Sequence, residues 1–281
     1  MADVEIVEVG PRDGLQSIGA VIDTDAKVTL VNALSGCGFR RIECASFVSP
    51  RWVPHMADSG AVMERIERAT GVTYAALVPN VRGLERAVAA RAGEVAIFVS
   101  ASEGFSRANL NATIDESFDR LAPVAEGAVE AGIPLRGYVS CVTDCPVDGS
   151  VPPAAVAGVT RRLFEMGCHE VSLGETLGRG AEASVREMLK AVAEVAAPER
   201  LAGHFHDTAG VALTNVGAAL DAGLRVFDAS AGGLGGCPYA PGASGNVGTE
   251  VLMDFLEGLG MTTGLDRDRL GRAAEMARGL A

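Results

Sequence analysis

The chain repeats one unit: a short apolar run of β character, a polar or Gly-rich junction, then a segment with helical apolar periodicity. Eight such units follow one another, with strand candidates at 4–9, 40–45, 73–78, 95–100, 135–140, 170–174, 201–206 and 225–230. Helical segments lie near 24–37, 57–68, 82–91, 115–131, 153–166, 183–195 and 213–222, and one over 249–259 closes the series. Gly36, Gly71, Gly93, Gly132, Gly167 and Gly223 stand where such helices should stop. A spacing of roughly 25 to 40 residues without long interruption predicts a (β/α)8 TIM barrel. A doubly wound sheet expects fewer strands and a Gly-rich first turn, and Gly10-Pro11-Arg12-Asp13-Gly14 is not G-x-G-x-x-G. The expectation is one domain over 1–281 with its active site at the C-terminal ends of the strands.

With 281 residues, 48% of them hydrophobic, the chain is long enough to bury a sizeable core. A formal charge of −12 argues against nucleic acid and anionic membrane as partners. The N-terminus shows no signal-peptide pattern and no apolar run reaches about 18 residues, so a cytoplasmic protein is expected. The cysteines are scattered at 37, 44, 141, 145, 168 and 237, which reads as reduced thiols rather than a disulfide framework.

In a barrel the residues that end the strands share one face. Here they are Arg12 and Asp13, Glu43, Ser100, Ser140 and Cys141, Glu175, His204 and His206, and Asp228. His204 and His206 stand at i, i+2, so on a strand both imidazoles point to one side, as metal ligands would. An open site needs oxygen partners as well, and Asp13 and Asn246 are placed to supply them. The plainer readings are that the histidines pack or hydrogen-bond, and that Arg12 and Asp13 pair with each other in a turn. Glu43, in an otherwise apolar strand, needs a partner or a task.

After the eighth strand comes the stretch 230–246, with six glycines and two prolines in seventeen residues, which excludes helix and regular strand. Its conspicuous reactive group is Cys237, although such a loop also suits a phosphate. The two lysines, Lys27 and Lys190, both fall in helical segments, which excludes Schiff-base chemistry at the strand ends. Carbon–carbon chemistry here would have to rely on a metal.

These residues carry a resemblance. Val7-Glu8-Val9-Gly10-Pro11-Arg12-Asp13-Gly14-Leu15-Gln16, Ser46-Phe47-Val48-Ser49-Pro50-Arg51-Trp52-Val53-Pro54 and Arg136-Gly137-Tyr138-Val139-Ser140-Cys141 occur in order. They are followed by Val171-Ser172-Leu173-Gly174-Glu175-Thr176, His204-Phe205-His206-Asp207-Thr208 and the Gly-Leu-Gly-Gly-Cys-Pro-Tyr of residues 233–239. With them the chain resembles the hydroxymethylglutaryl-CoA lyase family over essentially its full length. The resemblance implies a metal-dependent barrel that cleaves 3-hydroxy-3-methylglutaryl-CoA to acetyl-CoA and acetoacetate, and a possible homodimer. It implies Asp13, His204, His206 and Asn246 as ligands of Mg2+ or Mn2+, and Arg12 for the thioester oxygen. Cys237 becomes the acid that protonates the acetyl-CoA carbanion, with Glu43 and Glu250 as supporting carboxylates.

At position 175 the family pattern has Asp where this chain has Glu. Either a partner such as Arg179 keeps the carboxylate in place, or the pocket takes a related 3-hydroxyacyl-CoA. Arg51 and Arg107 are candidates for the CoA moiety. The competing classes are a Claisen condensing enzyme of the isopropylmalate or homocitrate synthase type, disfavoured by Cys237 and the chain length, and a non-catalytic acyl-CoA or phosphate-binding barrel.

Overall fold

The computed structural model describes residues 2–237 and 240–281, with the side chains of 236–244 outside the description. Its frame is eight parallel strands: β1 (Glu5–Glu8), β2 (Arg41–Ser46), β3 (Thr73–Leu77), β4 (Glu94–Ser100), β5 (Leu135–Ser140), β6 (Glu170–Glu175), β7 (Leu201–Phe205) and β8 (Val226–Ala229). They close into a barrel in chain order, β8 pairing with β1 through Val7 and Asp228. The predicted (β/α)8 barrel is the observed fold. All residues of β2, β6 and β7 are buried, as in parallel strands covered on both faces.

Between the strands run α1 (Thr24–Ser35), α2 (Ser59–Arg65), α3 (Val81–Ala89), α4 (Glu103–Leu110), α5 (Ile114–Glu130), α6 (Pro153–Glu165), α7 (Glu182–Ala193) and α8 (Ala212–Asp221). After β8 come α9 (Thr249–Gly258) and α10 (Arg267–Arg278). Their starts are chemical. Asp23, Asn80 and Ser102 each accept a backbone N–H of the following turn, and Thr113 and Glu116 form a reciprocal capping box on α5.

Two helices have no counterpart in the sequence expectation. Of α4, Phe105 and Ser106 are buried, and α10 turns only Leu270 and three alanines, Ala273, Ala274 and Ala277, to the core. One large apolar residue on a short or highly charged segment gives little periodic signal. The loop after β8 also departs from expectation. Gly236–Cys237 pairs antiparallel with Ala240–Ser244, with a register irregularity at the pair, so part of the Gly-rich stretch is a short hairpin.

The layer between strands and helices is apolar, but the barrel's interior is charged. Arg41 grips Glu170 with both terminal nitrogens at 2.8 and 3.1 Å, and Arg136 Nε donates to Glu170 at 2.7 Å. Lys27 lies on α1, tied to Asp58 and the His55 carbonyl, and Lys190 is exposed on α7, so neither reaches the strand ends. Cys37, Cys44, Cys141, Cys145 and Cys168 are free thiols and buried. No helix of the described residues is long and apolar enough to cross a membrane.

Candidate active site

The site begins where β1 ends. Gly10–Gly14 winds into one wide π-type turn, with the N–H groups of Asp13 and Gly14 both reaching the Val9 carbonyl, at 2.7 and 3.3 Å. That turn throws Arg12 and Asp13 over the barrel mouth. From β7, His204 points inward, and His206 follows just past the strand end in an isolated antiparallel bridge with Asn246. The bridge returns the far end of the Gly-rich loop to the site.

Asp13, His204 and His206 converge, each offering one ligand atom within 4.8 Å of the others. The two imidazoles face each other at 3.2 Å between their Nε2 atoms. Asn246 Nδ2 donates to Asp13 Oδ2 at 2.8 Å and to the Leu234 carbonyl at 3.3 Å. Two ring nitrogens at this separation need a proton or a cation between them, and a carboxylate beside them makes a divalent cation the fitting occupant. The electrostatics agree. Burial raises the Asp13 carboxyl, but Arg12 and the two histidines outweigh it and hold its pKa at about 2. His206 is pushed down to about 4, first by burial and then by the charge of His204, so its ring is neutral near neutrality and able to act as a ligand.

Behind the histidines stands Asp228. Its Oδ2 meets His204 Nδ1 at 3.1 Å and accepts from Ser172 Oγ at 2.8 Å, which leaves the His204 Nε2 lone pair directed at the cluster. Burial lowers the affinity of His204 for a proton, yet the Asp228 hydrogen bond and charge prevail and raise its pKa. On the other flank Arg12 is held by Glu43. Its Nε and Nη2 reach Glu43 Oε2 at 2.8 and 2.5 Å, and its Nη1 reaches Asp13 Oδ1 at 2.5 Å. The plainer reading, in which Arg12 pairs with Asp13 in a turn, therefore holds, and the pairing occurs inside the site. Glu43 has its partner in Arg12 and a second in the Tyr138 hydroxyl at 3.2 Å, while its Oε1 is buried without one.

The HMGL-like family model matches residues 3–277 of the chain. The chain belongs to this family. A hydroxymethylglutaryl-CoA lyase of Pseudomonas mevalonii is 52% identical over 272 residues, 97% of this chain and 90% of its own length. A 3-hydroxy-3-isohexenylglutaryl-CoA/hydroxy-methylglutaryl-CoA lyase of Pseudomonas aeruginosa is 51% identical over 97% of this chain and 91% of its own. The solved HMG-CoA lyase of Brucella melitensis superposes with a TM-score of 0.99 at 56% identity, covering 100% of this chain and 99% of its own.

Within this HMGL-like barrel Glu175 is fully buried, and burial raises its carboxyl pKa against the backbone N–H groups of Gly180 and Leu177 that favour the anion. Oε1 accepts weakly from Thr143 at 3.4 Å and Oε2 has no partner. The anticipated partner, Arg179, is exposed; the residue packed against Glu175 is Gly180, where a Cβ would come within 2.9 Å of Glu175 Cγ. Glu250 serves the loop. One oxygen accepts the Gly232 N–H at 3.0 Å and the other Arg278 Nη1 at 2.6 Å. The Cys237 side chain lies outside the described residues. Arg51 and Arg107 are exposed and not gathered with the cluster; Arg51 lies 5.9 Å from the Trp52 ring, and Arg107 pairs with Glu103 at 3.8 Å.

Sequence reasoning passed over Glu8, Arg136 and Tyr138, and took Asp228 only as a strand-end residue. Glu8 and Arg136 carried a signal, for a charge inside an apolar strand needs a partner, but the deciding partners, Ala231 and Thr249 for the one and Asp228 for the other, lie far along the chain. Asp207 accepts the Ala212 N–H at 2.9 Å at the start of α8.

Proposed function

We propose that the protein is a divalent-metal-dependent carbon–carbon lyase that cleaves 3-hydroxy-3-methylglutaryl-CoA to acetyl-CoA and acetoacetate. The observation that carries this reading is the convergence of Asp13, His204 and His206 beside the Arg12 guanidinium. Retro-Claisen cleavage removes the C3 hydroxyl proton and breaks the C2–C3 bond, leaving the electron pair on C2 as a thioester enolate. C3 becomes the ketone of acetoacetate, and one proton returns to C2.

Asp13, His204, His206 and Asn246 would hold Mg2+ or Mn2+, which when bound supplies Lewis acidity at the C3 hydroxyl. Asp228 orients His204 for that purpose. Arg12, fixed by Glu43 so that its charge costs no reorganisation, serves the thioester oxygen where negative charge develops. Glu175 is the acceptor for the hydroxyl proton, supported by its unpartnered Oε2 and its raised proton affinity. Cys237 returns the proton to C2, since a thiol of ordinary pKa about 8.5 is protonated at neutral pH yet able to donate. Glu250 holds the loop that carries it. The same reading takes 1–281 as one cytoplasmic domain, with the possible homodimer that the resemblance implies.

A spectrophotometric assay of acetyl-CoA release tests this. Hydroxymethylglutaryl-CoA should be cleaved, chelation should stop turnover, and Mg2+ or Mn2+ should restore it. Metal-loaded protein without turnover on this substrate overturns the assignment.

A further inference from the structure

Arg136 is fully buried on β5, and each nitrogen of its guanidinium is used. Nε donates to Glu170, which Arg41 grips from the far side, so the group is anchored inside the barrel. The two remaining nitrogens point along separate arms. Nη2 donates to Asp228 Oδ1 at 2.8 Å, and the other oxygen of Asp228 holds His204 Nδ1. Nη1 donates to the Tyr138 hydroxyl at 2.7 Å, which donates to Glu43, which holds Arg12. The arms meet again at the other end, because Arg12 pairs with Asp13 and Asp13 stands in the cluster with His204. The contacts form a closed ring through both halves of the site.

Resting on the lyase reading above, we infer that Arg136 is a positioning residue that fixes the metal-holding histidine and the thioester-binding arginine relative to each other. The reason is geometric. A guanidinium is planar and rigid, so the directions of its Nη1 and Nη2 hydrogens are not independent, and Asp228 and Tyr138 are set by one body. A lysine at this place carries the charge but has a single nitrogen on a flexible stem, and cannot reach three partners on a fixed plane. Arg136 stands behind Asp228 and Tyr138 and acts through them.

Three variants separate this from a merely structural role: Arg136→Lys, Asp228→Asn and Tyr138→Phe. Mn2+ affinity is measured by titration with paramagnetic resonance, kcat and KM by acetyl-CoA release, and folding by thermal melting. Tyr138→Phe should lower kcat at least about tenfold with Mn2+ affinity within about twofold, because only the arginine arm is cut. Asp228→Asn should weaken Mn2+ about tenfold or more, the usual effect of removing a partner behind a ligating histidine. A folded Arg136→Lys should show both losses together. A folded Arg136→Lys with Mn2+ affinity or kcat close to wild type overturns the inference. If Arg136→Lys does not fold, the two arm variants decide: Tyr138→Phe weakening Mn2+ as strongly as Asp228→Asn does, or Asp228→Asn losing as much kcat as Tyr138→Phe at saturating Mn2+, overturns it. Absence of lyase turnover in the wild type would overturn the lyase reading instead, while the Mn2+ titrations would still report on the histidine arm.

Discussion

Glu8 and Ala231 are 223 positions apart, yet the Glu8 carboxylate accepts the Ala231 N–H at 3.0 and 3.2 Å. The same carboxylate accepts the Gly10 N–H at 2.8 Å and the Thr249 hydroxyl at 2.7 Å. One buried group therefore ties the turn bearing Arg12 and Asp13 to both ends of the Gly-rich loop. The fit is close, for a Cβ on Gly10 would stand 2.6 Å from Glu8 Oε1.

Burial lifts the Glu8 pKa from 4.5 to about 7 despite these donors. Between those values the folded protein keeps a proton that the unfolded chain releases, so this group's contribution is full below pH 4.5 and is lost as pH rises through about 7. The Tm advantage of wild type over Glu8→Gln should shrink across that window, by roughly 3 °C for an effect of about 2 kcal/mol. A difference that stays constant from about pH 4.5 to about pH 8 would show that Glu8 does not titrate there.

Removing an imidazole should remove the metal. His204→Ala is expected to lose Mn2+ affinity by at least about tenfold and to lose turnover, with melting little changed in the metal-free protein. Calorimetric titration checks it, and a His204→Ala protein with wild-type Mn2+ affinity would exclude this cluster as the metal site.

For Cys237→Ser the expected loss is in kcat, by two orders of magnitude or more, with KM changed less than about threefold. Serine has nearly the same size but a far higher pKa, so binding survives and proton return fails. Steady-state kinetics on hydroxymethylglutaryl-CoA read this directly. A kcat near wild type would leave Cys237 a packing residue of its loop.

Glu175→Asp tests whether the extra methylene is absorbed by Gly180 or used for selection. Wild type should prefer hydroxymethylglutaryl-CoA over the isohexenyl analogue, and Glu175→Asp should keep that order while lowering kcat about tenfold through misplacement of the carboxylate. The comparison is of kcat/KM on both thioesters. A wild type that prefers the analogue, with the order reversed in Glu175→Asp, would make Glu175 a specificity residue and the substrate assignment wrong.

The alternation of strand and helix was legible because it is local: apolar periodicity within about ten residues, a cap at one end and a glycine at the other, needs no distant partner. The same holds for His204 and His206, whose i, i+2 spacing on a strand fixes their common direction. Charged residues inside strands were visible as anomalies, but their meaning was not. Arg136 finds Asp228 across 92 positions and Glu8 finds Ala231 across 223, and no period in the chain encodes which strands become neighbours when the barrel closes. Helices α4 and α10 were missed because each turns only one large apolar side chain, Phe105 or Leu270, fully into the core. The sequence by itself determined the order of elements and the residue types at their ends. Only closure of the sheet decided which of those ends touch, since a barrel brings β8 beside β1 and thereby joins the two halves of the site.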